Sequence, residues 1–200
     1  MTTSGFSTAT IGWVAIAAGV AGLLGLLFII LFFTIGQPFG TLNDICIALA
    51  AILSAVLAWM FYAQHPGQSG LIGQIGLVLA LAGAVIVVLG SVLVISGITG
   101  WFLAGLYMAA GNALIGLWLL GLIYFARNGN LWPANLVVFG VIAGLVMALG
   151  LAAIPGIFSR TDSAEAASWV INYVGQAGAL GWLVLYPIWC VLVGRVLLFR

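Results

Sequence analysis

The stretch GLIGQIGLVLALAGAVIVVLGSVLVIS, residues 70–96, decides the fold. It has no charged side chain and is longer than the roughly 20 helical residues that one crossing of a bilayer core takes. A membrane β-strand would be about 10 residues of alternating polarity. This run is continuous, so it is a helix. Gly76, Gly83 and Gly90 recur within it at intervals of seven, with Gly97 just beyond, and so share one stripe of that helix. Five further runs of the same kind follow at 11–34, 42–63, 98–126, 131–154 and 168–198. The sequence predicts one all-α domain over 1–200, a multi-pass bundle of six transmembrane helices.

Composition points the same way. Of 200 residues, 66% are hydrophobic and 4% charged, against roughly 25% charged in a soluble domain. The cations are Arg127, Arg160, Arg195 and Arg200, the anions Asp44, Asp162 and Glu165, and His65 is the single histidine. No water-facing surface can be built from these. Four scattered arginines do not grip nucleic acid. Without lysine there is no Walker-type nucleotide loop and no Schiff base. One histidine rules out a His-rich zinc site and a haem held from both faces. Cys46 and Cys190 fall inside spans near opposite bilayer faces, so they are expected as buried thiols rather than a disulfide. No catalytic constellation is assembled, and no enzyme is expected.

The breaks carry turn chemistry. Gln37-Pro38-Phe39-Gly40 follows the first span, and His65-Pro66-Gly67-Gln68-Ser69 the second. Gly97-Ile98-Thr99-Gly100 makes a tight hairpin between the third and fourth. Arg127-Asn128-Gly129-Asn130 precedes the fifth span, with Pro133 in its first turn, and Pro155-Gly156 is expected to stop it. An even number of spans puts both termini on one side, with His65, Arg127, Arg195 and Arg200; the other side holds Asp44, Arg160, Asp162 and Glu165. The excess of arginine predicts cytoplasmic termini, in a cell membrane read as the bacterial inner membrane. The first ten residues lack a basic segment, so no cleaved signal peptide is expected. In the longest loop, Asp162-Ser163-Ala164-Glu165 has the spacing of a capping box. A sixth helix beginning there would be roughly 54 Å long at 1.5 Å per residue, too long for the core unless it projects, tilts, or bends at Gly175, Gly178, Gly181 or Pro187.

In lipid, small residues let helices approach. Gly76, Gly83 and Gly90 on the third span, Ala51 and Ala55 on the second, Gly140 and Gly144 on the fifth, and Gly105, Ala109 and Ala113 on the fourth are the expected packing positions. The second to fifth helices should therefore be in tight contact. Thr41 and Asp44 are expected to cap the second helix, with Asp44 meeting its free N–H groups and positive dipole end. The amides Gln74, Asn112, Asn135, Asn172 and Gln176 are expected as interhelical hydrogen-bond glue. Trp13, Trp59, Tyr62, Trp101, Tyr124, Trp132, Trp169 and Tyr173 lie near span ends and read as an interfacial belt. Trp118, Trp182, Tyr107 and Tyr186 are deeper, facing either lipid or a bound apolar ligand.

The chain resembles a loose group of small bacterial six-helix membrane proteins without assigned function. The resemblance rests on Gly40-Thr41-Leu42-Asn43-Asp44 opening an Ala-rich second helix, and on Arg127-Asn128-Gly129-Asn130 followed by Leu131-Trp132-Pro133. It implies the six-helix layout and carries over no functional residue; the lack of lysine departs from the group.

Two functions are read at this level, the first as the leading one and the second as its alternative. One is a non-catalytic subunit of a larger membrane complex, for example an energy-transducing or photosynthetic one, with other membrane subunits as partners. The other is a binder of a small hydrophobic molecule such as a lipid, quinone, carotenoid or chlorophyll, in a pocket lined by Tyr107, Asn112, Trp118 or Trp182. A proton-coupled transporter is a third, but it wants ionisable groups at mid-membrane, and none is expected there.

Overall fold

A computed structural model describes residues 6–64, 70–128 and 132–199. His65 with its turn, the Gly129-Asn130 turn with Leu131, and Arg200 lie outside the described residues. Every regular element among those described is helical, and six helices are long and apolar enough to cross a membrane. They are α1 (Thr8–Ile35), α2 (Phe39–Gln64), α3 (Gly70–Ile95), α4 (Trp101–Asn128), α5 (Ala134–Phe158) and α6 (Val170–Leu198).

Each helix packs on the next in sequence, and α6 closes the ring against α1. The close packing is therefore not confined to α2–α5: α1 is tightly held on both sides. Helix α4 is the central element, with 67% of its spanning window buried against 33–39% in the others. Its window is also among the two least apolar, with a mean hydropathy of 1.8 against 3.0 in α3. Lipid selects for apolar side chains; protein neighbours tolerate Asn112 and glycines.

The glycine stripes do their work inside this ring. A Cβ on Gly83 would stand 2.5 Å from the Gly111 carbonyl oxygen, and one on Gly111 would stand 2.5 Å from that of Gly83. The α3 and α4 backbones thus touch where both lack a side chain. Gly90 fits against Ala104 and Tyr107, and Gly76 against Trp118. Gly140 sits against Ile123 and Trp189, and Gly144 against Leu120 and Gly116, so these positions seat α5 on α4 and α6. Ala51 is buried and Ala55 packs against the core around it. The ring closes where Gly12 meets Gly194 and where Gly19 and Gly22 meet Pro187.

Three boundaries differ from expectation. First, α5 runs through Pro155 to Phe158. The tighter 3₁₀ turn over Leu149–Ala153 puts Pro155 at the start of a new helical turn, where its missing N–H is harmless. Second, α6 begins at Val170, not in the 162–165 segment. Asp162 is engaged elsewhere: its carboxylate accepts from the N–H groups of Gly100 and Leu103, both at 3.2 Å, and so caps α4. Ser163 makes only a local turn, accepting from Ala166 N–H at 3.3 Å. Third, α6 departs from α-helical geometry twice, in π-helical stretches over Val170–Gly175 and Gly181–Leu185. The second precedes Pro187, which has no N–H for the carbonyl four residues back and whose ring crowds it. The ladder widens instead, and Tyr186 N–H reaches Gly181 oxygen.

The core holds an aromatic cluster. Trp189 is fully buried, stacks on Tyr186 at 6.1 Å and meets Trp132 edge-on at 5.7 Å, and Trp132 meets Phe61 at 5.7 Å. Trp132 is therefore core, not belt, whereas Trp13, Trp59, Trp101, Tyr124, Trp169 and Tyr173 are exposed as an interfacial position requires. Both cysteines are free thiols.

A candidate intramembrane binding cavity

At the end of the bundle away from the termini, residues of α1, α2, α3, α4, α5 and α6 line a half-open cavity of about 430 Å³. That lies within the roughly 300–1,000 Å³ of small-molecule sites, which are mostly apolar with a few placed polar groups. Ile29 and Phe33 of α1, Val94 of α3, Trp101, Phe102 and Leu106 of α4, and Ile171 and Leu183 of α6 supply apolar and aromatic wall. Phe33 and Trp101 meet edge-on at 5.8 Å, joining α1 to α4 at the rim.

Two of the wall positions are glycines with open space beside them. A Cβ on Gly105 or on Gly175 would meet nothing within 4 Å, in contrast to the crowded glycines of the helix crossings. Gly105 was expected to pack a helix; it borders open space instead. Gly175 ends the first π-helical stretch of α6, and Trp182 and Leu183 lie in the second. Both irregular stretches thus present residues to the cavity, as π-bulges often do at functional sites.

The polar groups come from α2 and α6. Asn43 and Asp44 both line the cavity and are 5% and 6% exposed. Their position corrects the expected cap. Pro38 opens the turn, α2 starts at Phe39, and the Gln37 side chain accepts from Thr41 N–H at 3.5 Å and Thr41 Oγ1 at 3.4 Å. Thr41 therefore receives the cap rather than providing it. Asp44 falls in the second turn, past the free N–H groups. Its hydrogen bond is from Asn43 Nδ2, at 3.1 Å to Oδ1. This bond turns the Asn43 amide so that Asn43 Oδ1 is left, buried and without a partner. Trp182 of α6 also lines the cavity, and its Nε1 is buried and without a partner. Gln176 stands exposed at the edge. Ser91 Oγ, Thr99 Oγ1, Asn172 Oδ1 and Trp189 Nε1 are unpartnered too, but none of them lines this cavity.

Of the four residues the sequence pointed to for a ligand, only Trp182 is here. Trp118 is buried in the core beside Gly76, Tyr107 packs beside Gly90, and Asn112 donates to Met108 oxygen of its own helix at 2.9 Å. The amide glue is local as well. Asn135 accepts from Leu136 N–H at 2.9 Å, Asn172 donates to Ala164 oxygen at 2.7 Å, and Gln74 is exposed. The hydrogen bond that does join two spans is from Tyr186 hydroxyl to Ser54 Oγ at 2.8 Å. Asn43 and Gly175 escaped the sequence reading. The signal for Asn43 was its pairing with Asp44 inside a span, legible once Pro38 is taken as the helix start.

Among the described residues no group of three His, Cys, Asp or Glu is placed to hold a metal ion. Comparison with known proteins finds no matching family model, no matching curated protein and no matching solved structure.

Proposed function

We propose that this multi-pass membrane protein binds a small, largely apolar molecule in the cavity between α2, α4 and α6. The observation that carries the reading is the apolar cavity of about 430 Å³ itself, with Asn43 and Asp44 of α2 and Trp182 of α6 among the residues that line it. Leaving a buried polar group unpaired costs about 1–3 kcal/mol, and bilayer lipid tails offer neither donor nor acceptor. An amphipathic molecule supplies both a polar head for these side chains and an apolar body for Phe33, Phe102 and Leu183. A lipid-derived molecule, a quinone or a pigment belongs to this class. The role is binding or carrying, not catalysis, and neither nucleotide nor nucleic acid is a partner. With the termini cytoplasmic in a bacterial inner membrane, as the arginine distribution supports, the cavity belongs to the outer half of the bilayer.

A small-residue face covered by another chain would favour the subunit reading instead. Gly83, Gly90, Gly140 and Gly144 pack within the bundle, so these stripes are not faces for a partner chain.

The test is small-molecule mass spectrometry on the chain purified from native membranes in mild detergent, beside a variant with Gly105→Leu and Gly175→Leu. The two leucines enter open space, so the bundle should persist. A molecule retained stoichiometrically by the wild type and lost from the variant supports the reading. Equal retention by both, or none by either, overturns it.

A further inference from the structure

We infer that the cavity selects a ligand with a cationic, hydrogen-bond-donating head, of the class of lipophilic ammonium compounds. This rests on the binding reading above and names the chemistry that the site takes. Asp44 is the one formally charged side chain lining the cavity, and it makes no ion pair among the described residues. A carboxylate between helices is retained when something offsets it. Its neighbour sharpens the selection. Asn43 Nδ2 already donates to Asp44 Oδ1, so on this wall the amide's donor is engaged and the carboxylate is the acceptor left to a ligand. Asp44 is thus the acceptor that this wall offers. Gln176 at the edge carries an amide that can both donate and accept, and no cation is among the lining residues. The balance is negative, and its complement is a donor-rich cation. Aromatic wall at Phe33, Trp101, Phe102 and Trp182 suits the same ligand, because ring faces attract cations and accept flat apolar bodies. An anionic head would meet Asp44 directly; a neutral head would leave it unpaired.

Binding of three probes of one shape to the full chain in nanodiscs tests this: 1-naphthylmethylammonium, 1-naphthylmethanol and 1-naphthylacetate. The ammonium is expected to bind at least tenfold more tightly than the alcohol, and the acetate most weakly. Asp44→Asn, nearly isosteric, should erase the preference of the ammonium over the alcohol, with a monodisperse size-exclusion peak and an unchanged melting temperature showing that the variant is folded. Asn43→Leu should weaken the ammonium severalfold. Alcohol and ammonium binding equally to the wild type, or a preference unchanged in Asp44→Asn, overturns the cationic selection and leaves the binding site standing. Probes that bind the Gly105→Leu, Gly175→Leu variant as tightly as the wild type, or that do not bind the wild type, overturn the cavity as a binding site and the selection with it.

Discussion

Asn43, Asp44 and Asp162 show how far one polar side chain can be read before its neighbours are known. Each has the residue type and local spacing of a helix cap, and the two aspartates were expected to cap their own helices. Asp162 does cap, but it caps α4, across 62 and 59 residues of chain, through Gly100 and Leu103. Asp162→Ala should therefore loosen α4, not α6, at a cost of about 0.5–2 kcal/mol typical of a lost cap. Hydrogen exchange would report it as faster exchange at the Gly100 and Leu103 amides, with the Val170–Gly175 amides unchanged. Faster exchange in α6 alone would contradict the assignment. Asp44 escaped its expected role because Pro38 sets the start of α2 earlier than hydropathy does. Charge and amides were visible as rare residues; the partner each would find was not, since such bonds join segments far apart in sequence.

At the scale of the helix, existence was legible and irregularity was not. All six spans stand where hydropathy puts them, within a few residues, because lipid imposes a minimum apolar length on every crossing. The Gly76, Gly83 and Gly90 stripe is also where α3 meets its neighbour. The widened turns of α6 were foreshadowed only as bends at Gly175, Gly181 or Pro187, and the 3₁₀ turn of α5 not at all. Glycines of two kinds arise from this. Those at crossings, such as Gly83 and Gly111, have no room for a Cβ, whereas Gly105 and Gly175 have ample room. Gly83→Leu should separate α3 from α4 and lose most of the folded, monodisperse protein. Gly105→Ala should fold normally and gain about 0.5–1 kcal/mol from reduced backbone freedom. Thermal unfolding in detergent with size-exclusion chromatography checks both. Equal behaviour of the two variants would contradict the distinction.

For the whole molecule, six helices with α4 the most buried pack through glycines at their crossings and leave a half-open space at one end. The sequence made a membrane bundle certain from composition alone, because seven charges cannot solvate a surface. It did not reveal the cavity, which is lined by residues from six helices, among them two glycines indistinguishable in sequence from the packing ones. The central claim is that this space is a binding site rather than a lipid-filled crevice. Photolabelling tests it most directly: native membranes containing the full chain are exposed to a naphthylmethyl-ammonium probe bearing a diazirine, with and without excess unlabelled compound, and labelled peptides are mapped. The account predicts saturable labelling at Phe33, Asn43, Trp101, Phe102 and Trp182. Labelling spread over lipid-facing residues such as Leu71, Val78 and Val138, and insensitive to the competitor, would contradict it.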